Sequence, residues 1–168
     1  RDGGAARAAM RLHHALRAAG VDSALFVDQR SGQDTAVHGT QGGAARLASR
    51  LRWQLDHVPA GLVGAKRGEF SVNWVGSALR ARLARFAPDV IHLHWLNAGF
   101  VSLAEIGRLG APLLWTAHDM WPFTGGCHYD AGCGRFAEQG CTRCPMQSRA
   151  PAVPLASRLL AARQRLAA

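Results

Sequence analysis

The chain has 168 residues, of which 48% are hydrophobic and 18% are charged, and this is typical of one globular domain or one half of a two-domain enzyme. No run approaches the roughly 18 apolar residues of a membrane-spanning helix, and the first residues lack the apolar segment of a signal peptide. The formal net charge of +9 comes from arginines scattered along predicted helices without interleaved aromatic residues, which favours anionic lipids or a phosphorylated substrate over nucleic acid.

The amino-terminal part of the chain predicts a helix followed by a strand. Apolar residues recur at helical spacing from residue 5 to Gly20, and glycine commonly ends a helix. The stretch Val21–Val27 has the apolar, β-branched character of a strand, and the residues after it are rich in turn formers. We therefore expect a helix, a strand and a loop in that order.

Two further helices are predicted before the next strand. The first has one apolar face, made by Leu47, Leu51, Leu55 and Val58. Pro59 should end it, because proline cannot donate the helical backbone hydrogen bond. The glycine-rich residues 60–76 are expected to be irregular. A second helix is predicted over Ser77–Phe86, with Ser77 as its cap.

The next part of the chain predicts a β-α-β unit. Val90–Leu96 and Ala111–Ala117 are nearly continuous apolar runs, as buried parallel strands require, and a short helix around Val101–Leu109 separates them. Such a unit has parallel strands and a right-handed crossover. With the earlier elements, the pattern predicts an α/β fold: a Rossmann-like, doubly wound parallel sheet followed by a cysteine-rich loop.

Polar residues at and just beyond the carboxyl ends of the last two predicted strands form a candidate site, because ligands bind there in open α/β sheets. His94 lies near the carboxyl end of the first strand and Asn97 follows it, and His118 and Asp119 follow the second. A neutral histidine can bind a sugar hydroxyl or orient a reacting group, and a carboxylate can fix its tautomer or cap a turn. Packed histidines are the alternative interpretation, and we favour it for His92, which lies deeper in the strand.

The amino end of the first helix is a second candidate binding element. Gly3 and Gly4 precede this helix, and glycines let a phosphate or a sugar hydroxyl approach free backbone N–H groups at a helix terminus. Many helices begin after glycine without binding a ligand, so the pair alone leaves the question open.

Four stretches together resemble the amino-terminal domain of family 4 glycosyltransferases, most closely the branch that builds bacterial exopolysaccharide and other surface glycans. They are GGAARAAMRLHHALRAAGVDS, FAPDVIHLHWLNAGFVSL, LGAPLLWTAHDMWPFTGGCHY and CTRCP, and they run from Gly3 to about Pro145. The resemblance implies that residues 1–168 are the acceptor-side, Rossmann-like half of a GT-B enzyme. It places the first strand and the carboxyl-terminal donor-binding domain outside the chain, which alone should be inactive.

The resemblance also implies the chemistry. It matches His118 to a histidine that faces the transferred sugar, and Gly3 and Gly4 to a glycine turn beside the donor diphosphate. The expected reaction transfers a sugar, with retention of configuration and without a catalytic metal, from a nucleotide sugar to a glycan or lipid-linked acceptor. We expect it to occur in the cytoplasm, with peripheral contact at the inner membrane.

All four cysteines lie within the loop over residues 120–146, and they are Cys127, Cys133, Cys141 and Cys144. The final Cys-x-x-Cys is a good half-site for zinc, whereas the first pair is wider than a common knuckle, and His128 could replace one thiolate. A structural zinc is the leading hypothesis. Packed reduced thiols and disulfides are the alternatives, and disulfides would need an oxidising compartment.

Two other functions are consistent with parts of the pattern. One is a non-catalytic module that binds glycan or nucleic acid and has a zinc-braced loop. The other is a nucleotide-binding oxidoreductase, which is weaker because no G-x-G-x-x-G turn follows a strand.

Overall fold

The computed structural model of the protein describes residues 3–66, 68–149 and 155–167. These residues form a mixed α/β structure. Its elements are α1 Gly4–Ala18, β1 Leu25–Gln29, β2 Val37–Thr40, α2 Gly43–Leu62, α3 Leu79–Phe86, β3 Ile91–Leu93, α4 Leu103–Ile106, β4 Leu113–Trp115, α5 Arg135–Glu138 and α6 Leu155–Ala167.

The described strands pair in parallel. β1 pairs with β2, and β3 pairs with β4 in a register that sets Leu93 opposite Trp115. The parallel pairing of β3 with β4, with α4 between them, confirms the predicted β-α-β unit. Within the described part of the chain, the two pairs are separate two-stranded sheets, in place of the single doubly wound sheet that the sequence predicts.

β2 follows the turn-rich stretch over residues 28–34 and is a strand that the sequence does not predict. The strand has four residues, and Gly39 lowers its strand propensity. A Cβ atom on Gly39 would lie 2.7 Å from the backbone nitrogen of Arg30, so this position requires glycine for the close approach of β1 and β2. Tertiary packing therefore explains both the strand and its weak sequence signal.

Pro59 lies inside α2 and does not end it, which corrects the predicted helix boundary. A proline leaves the carbonyl oxygen four residues earlier without its helical donor. Here that oxygen belongs to Leu55, and it accepts a hydrogen bond from the indole N–H of Trp74 at 2.9 Å. A side chain distant in sequence thus satisfies the carbonyl, and the helix continues to Leu62.

The predicted cap at Ser77 is also wrong. α3 begins at Leu79 after Ala78, and no side chain caps it. A capping box stands instead at the start of α4, where the Ser102 hydroxyl accepts from the Glu105 backbone and the Glu105 carboxylate accepts from the Ser102 backbone. This cap allows a helix of only four residues to form between the two strands of the β-α-β unit.

Two hydrophobic clusters hold the described residues together. One is centred on Phe70 and joins the cysteine-containing segment to α6 through Cys127 and Leu160. The other packs α3 and α4 against β3, and it includes Leu83 and Ile106. The candidate site lies at the end of β3 and β4, and the segment that follows β4 contributes to the first cluster.

Candidate active site

The carboxyl ends of β3 and β4 bring two predicted site residues into contact. His94 follows β3 and His118 follows β4, and Nδ1 of His94 lies 2.8 Å from Nε2 of His118. The parallel register of the two strands explains this, because residues just beyond paired strands must lie at the same edge. The structure therefore confirms that the two histidines share one edge of the sheet.

A third imidazole lies beside this pair. The rings of His92 and His94 are 4.4 Å apart between centroids, and those of His94 and His118 are 5.1 Å apart. His92 is within hydrogen-bonding distance of a neighbour, with its Nε2 2.7 Å from the hydroxyl of Thr116. The interpretation of His92 as a packed histidine is therefore supported, and its partner is the Thr116 hydroxyl.

The environment of His94 keeps its ring neutral. Burial, and then the neighbouring His92 and His118 rings, lower the pKa of His94 to about 4. A hydrogen bond of 2.8 Å between two ring nitrogens requires one N–H donor and one lone-pair acceptor. The pair therefore has two tautomers. One makes Nδ1 of His118 a hydrogen-bond donor to a ligand, and the other makes it an acceptor.

Asp119 organises the turn after β4. Its Oδ2 accepts from the indole N–H of Trp95 at 3.2 Å and lies 2.7 Å from Nδ1 of His128, and its Oδ1 accepts from the backbone N–H of Trp121 at 2.9 Å. Burial opposes ionisation of the carboxyl, but these hydrogen bonds outweigh burial and hold its pKa below the usual value. Asp119 is thus an ionised positioning group, and the histidine that it orients is His128 instead of His118.

His128 is a site residue that the sequence analysis considered only as a zinc ligand. Its ring is buried, with Nδ1 at Asp119 and Nε2 2.8 Å from the hydroxyl of Ser71. Both nitrogens are therefore engaged, which argues against His128 as a replacement for a cysteine at zinc. The only sequence signal for this role was its place nine residues after Asp119 in the TAHDMWPFTGGCHY motif.

Asn97 lies in the cleft that His94, His118 and Asp119 also line. Its side chain is 2% exposed, and its Oδ1 has no hydrogen-bond partner among the described residues. A buried amide oxygen without a partner costs free energy, and a ligand hydroxyl would remove that cost. The structure thus brings Asn97 together with the two histidines, as the sequence predicts.

Asn73 positions the loop that carries Asn97, a role that the sequence did not predict. Its backbone has φ of +53°, and its amide donates to the carbonyl oxygens of Leu96 and Val101 at 3.1 and 3.0 Å. Asparagine tolerates the left-handed region better than most residues. The signal was present as an asparagine in the glycine-rich stretch, but its partners lie more than twenty residues away.

Gly3 and Gly4 stand at the start of α1, with Gly3 at the cap position. A Cβ atom on either glycine would meet nothing within 4 Å, so steric crowding within the described structure does not require glycine there. Among the described residues, the side chains of His94 and His118 make no contact with either glycine. Their part in binding a ligand stays a prediction.

The four cysteines are free thiols. A hydrogen bond from Cys127 lowers the pKa of Cys144 and raises that of Cys127, and the backbone N–H groups of Met146 and Gln147 also favour the Cys144 thiolate. Such N–H···S contacts accompany cysteines that bind metals. The cysteines are not, however, among the described groups whose ligand atoms lie within 4.8 Å of one another. Zinc would have to draw the sulfurs together, and it stays a prediction.

Metal analysis tests that prediction. If the loop binds zinc, protein purified under reducing conditions should contain about one zinc at this site, and a double Cys141→Ser, Cys144→Ser variant should lose it. A Ser148→Ala variant in the same segment is the matched control and should keep the metal. Four freely titratable thiols in metal-replete wild-type protein would instead establish packed cysteines.

Comparisons with known proteins give the following matches. The family model described as Glycosyltransferase Family 4 matches residues 2–163. The protein named as the colanic acid biosynthesis glycosyl transferase WcaC of Escherichia coli (strain K12) is 31% identical over 90 residues, which cover 47% of this chain and 22% of that protein. The chain thus spans less than a quarter of the relative's length. No solved structure matches it significantly.

Proposed function

The chain belongs to glycosyltransferase family 4, and from this premise we propose that the whole protein is a retaining glycosyltransferase. It would transfer a sugar from a nucleotide-sugar donor to a glycan or lipid-linked acceptor, without a catalytic metal. In this proposal residues 1–168 belong to the Rossmann-like, acceptor-side half of a GT-B enzyme, and another domain binds the donor. The relative named for colanic acid biosynthesis supports a role in exopolysaccharide or other surface-glycan synthesis.

The contact between His94 and His118 is the observation that carries the proposal. Nε2 of His118 is engaged by His94, and Nδ1 makes no hydrogen bond within the described residues. That nitrogen and the unpartnered Oδ1 of Asn97 belong to one cleft. One nitrogen of variable tautomer and one fixed acceptor are suited to sugar hydroxyls, which both donate and accept.

Asp119 has a supporting role in this mechanism. Its two oxygens are already held by Trp95, Trp121 and His128, so it does not serve as the nucleophile or base that a carboxylate supplies in many glycosidases. Asp119 instead fixes the turn after β4, and this turn places His118 at the cleft. The described residues therefore bind and orient substrate, and His118 is the group best placed to exchange a proton with it.

Turnover by the full-length enzyme tests the proposal. Incubation with a panel of nucleotide sugars and with glycan or polyprenyl-linked acceptors should give a product for at least one pair, with the anomeric configuration of the donor retained. A product of inverted configuration would overturn the proposed mechanism. If no pair gave either donor hydrolysis or sugar transfer, the proposed activity would be wrong.

One exposed face of α2 supports the proposed contact of the protein with the cytoplasmic face of the inner membrane. Five aliphatic residues at helical spacing are between 49% and 69% exposed, and they are Leu47, Leu51, Leu55, Val58 and Leu62. An apolar face of this kind normally packs into a core. In α2 a different face is buried, and it includes Ser49 and Ala60.

The charges beside this apolar face suit an anionic bilayer. Arg46 and Arg50 are exposed, and the one acidic residue of α2, Asp56, is buried. An amphipathic helix with arginines beside a leucine-rich face lies in the plane of an anionic membrane surface. No helix in the described ranges is long and apolar enough to cross a membrane.

A vesicle-binding experiment tests this contact. A Leu47→Gln, Leu51→Gln variant should bind anionic phosphatidylglycerol vesicles roughly tenfold or more weakly than wild type, given the free energy of burying leucine. Both side chains are exposed, so the fold should be unchanged. Val21→Gln, at an exposed aliphatic residue outside α2, is the matched control. Equal binding of both variants, or self-association that only the α2 variant abolishes, would contradict a membrane contact.

A further inference from the structure

A cluster of metal-ligating side chains lies between α1 and the loop that joins β1 to β2. His13, His14 and Asp34 each place a ligand atom within 4.8 Å of the ligand atoms of the other two. The two histidines are adjacent in α1, yet both rings reach the same region, with centroids 5.5 Å apart. Nε2 of His14 lies 3.4 Å from Oδ2 of Asp34. Two side chains of α1 and one side chain of the β1–β2 loop thus converge on one region.

His13 gives this cluster its binding character. The residue is 3% exposed, Nδ1 lies 2.9 Å from the hydroxyl of Ser23, and Nε2 is buried without a hydrogen-bond partner among the described residues. A histidine that binds a metal through one nitrogen commonly donates the other ring N–H to an oxygen, which fixes its orientation. Ser23 can accept such a bond, and Nε2 is then the nitrogen available to a cation.

One oxygen of Asp34 is already engaged within its loop. Oδ1 accepts a hydrogen bond from the backbone N–H of Ala36 at 2.9 Å. That bond fixes the carboxylate, and Oδ2 lies at the cluster, 3.4 Å from Nε2 of His14.

We propose that His13, His14 and Asp34 bind one divalent transition-metal ion, with zinc as the best match to two imidazoles and one carboxylate. This donor set is common for zinc and also accepts cobalt, nickel or copper, whereas magnesium prefers oxygen ligands. The ion fastens the carboxyl-terminal half of α1 to the β1–β2 loop, so its role is to stabilise this packing. The proposal does not depend on transferase activity.

Metal titration of the untagged protein tests the site. Wild type should bind one more equivalent of zinc than His14→Ala or Asp34→Asn, whose affinity at this site should fall roughly tenfold or more. Zinc should also raise the Tm of wild type by more than that of either variant. The mutated side chains are 60% and 42% exposed, so both variants should fold.

Two controls separate this site from the cysteines. His57→Gln removes a histidine of α2 and should leave the number of bound equivalents unchanged. The Cys141→Ser, Cys144→Ser variant should retain the equivalent that His14→Ala loses. Equal stoichiometry and equal affinity in wild type, His14→Ala and Asp34→Asn would overturn the proposal, as would an absence of zinc binding by the cysteine variant.

Discussion

The full-length enzyme with His118→Ala should turn over roughly 10²-fold or more slowly than wild type, the scale of a positioned polar group in catalysis. His118 lies just beyond β4, and its contact with His94 at 2.8 Å holds the ring so that Nδ1 is left for substrate. Alanine removes this nitrogen and the contact with His94 but little buried packing, because the residue is only partly buried at the cleft. The fold should therefore persist while the transfer step slows.

Steady-state kinetics with saturating donor and acceptor measure this effect. His92→Gln is the neighbouring control, because His92 contacts Thr116 and the His94 ring and is not a residue of the cleft. It should change turnover far less than His118→Ala. Near wild-type turnover of His118→Ala would reduce His118 to a structural residue, and an equal loss in both variants would show that the histidine cluster acts only by packing.

Phe70→Ala should lower the free energy of unfolding by about 3–5 kcal/mol, the usual cost of a fully buried phenylalanine. Phe70 is 0% exposed and lies at the centre of the cluster that joins the cysteine-containing segment to α6. Its ring also contacts the backbone at Gly126, where an added Cβ atom would lie 2.4 Å from Cζ. Little surrounding structure can collapse into the space that the ring leaves, so the cost should be near the upper end.

Urea denaturation followed by circular dichroism measures this change, with Phe123→Ala as control. Phe123 is 52% exposed, so its truncation should cost well under half as much. The residues on either side of Phe70 pair with the segment that carries His128, because the backbone N–H of His128 donates to Glu69 and that of Ser71 donates to Gly126. Equal destabilisation by the two variants would show that the Phe70 cluster is not a core.

Local patterns alone predicted the β-α-β unit and the histidine pair. The apolar runs around Ile91 and Leu114 predict strands, and the short helix predicted between them is the crossover of a parallel β-α-β unit. Parallel strands place their carboxyl ends together, so the sequence alone predicts His94 and His118 at one edge of the sheet. The TAHDMWPFTGGCHY motif likewise predicted the family without knowledge of any contact.

Only the tertiary structure decided the features that depend on partners distant in sequence. Pro59 should end α2 by local rules, but the indole of Trp74 satisfies the freed carbonyl of Leu55. The sequence allows Asp119 to orient His118, yet in the folded turn its carboxylate contacts Nδ1 of His128. Periodicity and propensity describe the environment of neighbours along the chain, whereas a hydrogen bond depends on a partner's position in space. For the same reason, periodicity marks the apolar face of α2, but only the structure shows that this face lies on the surface.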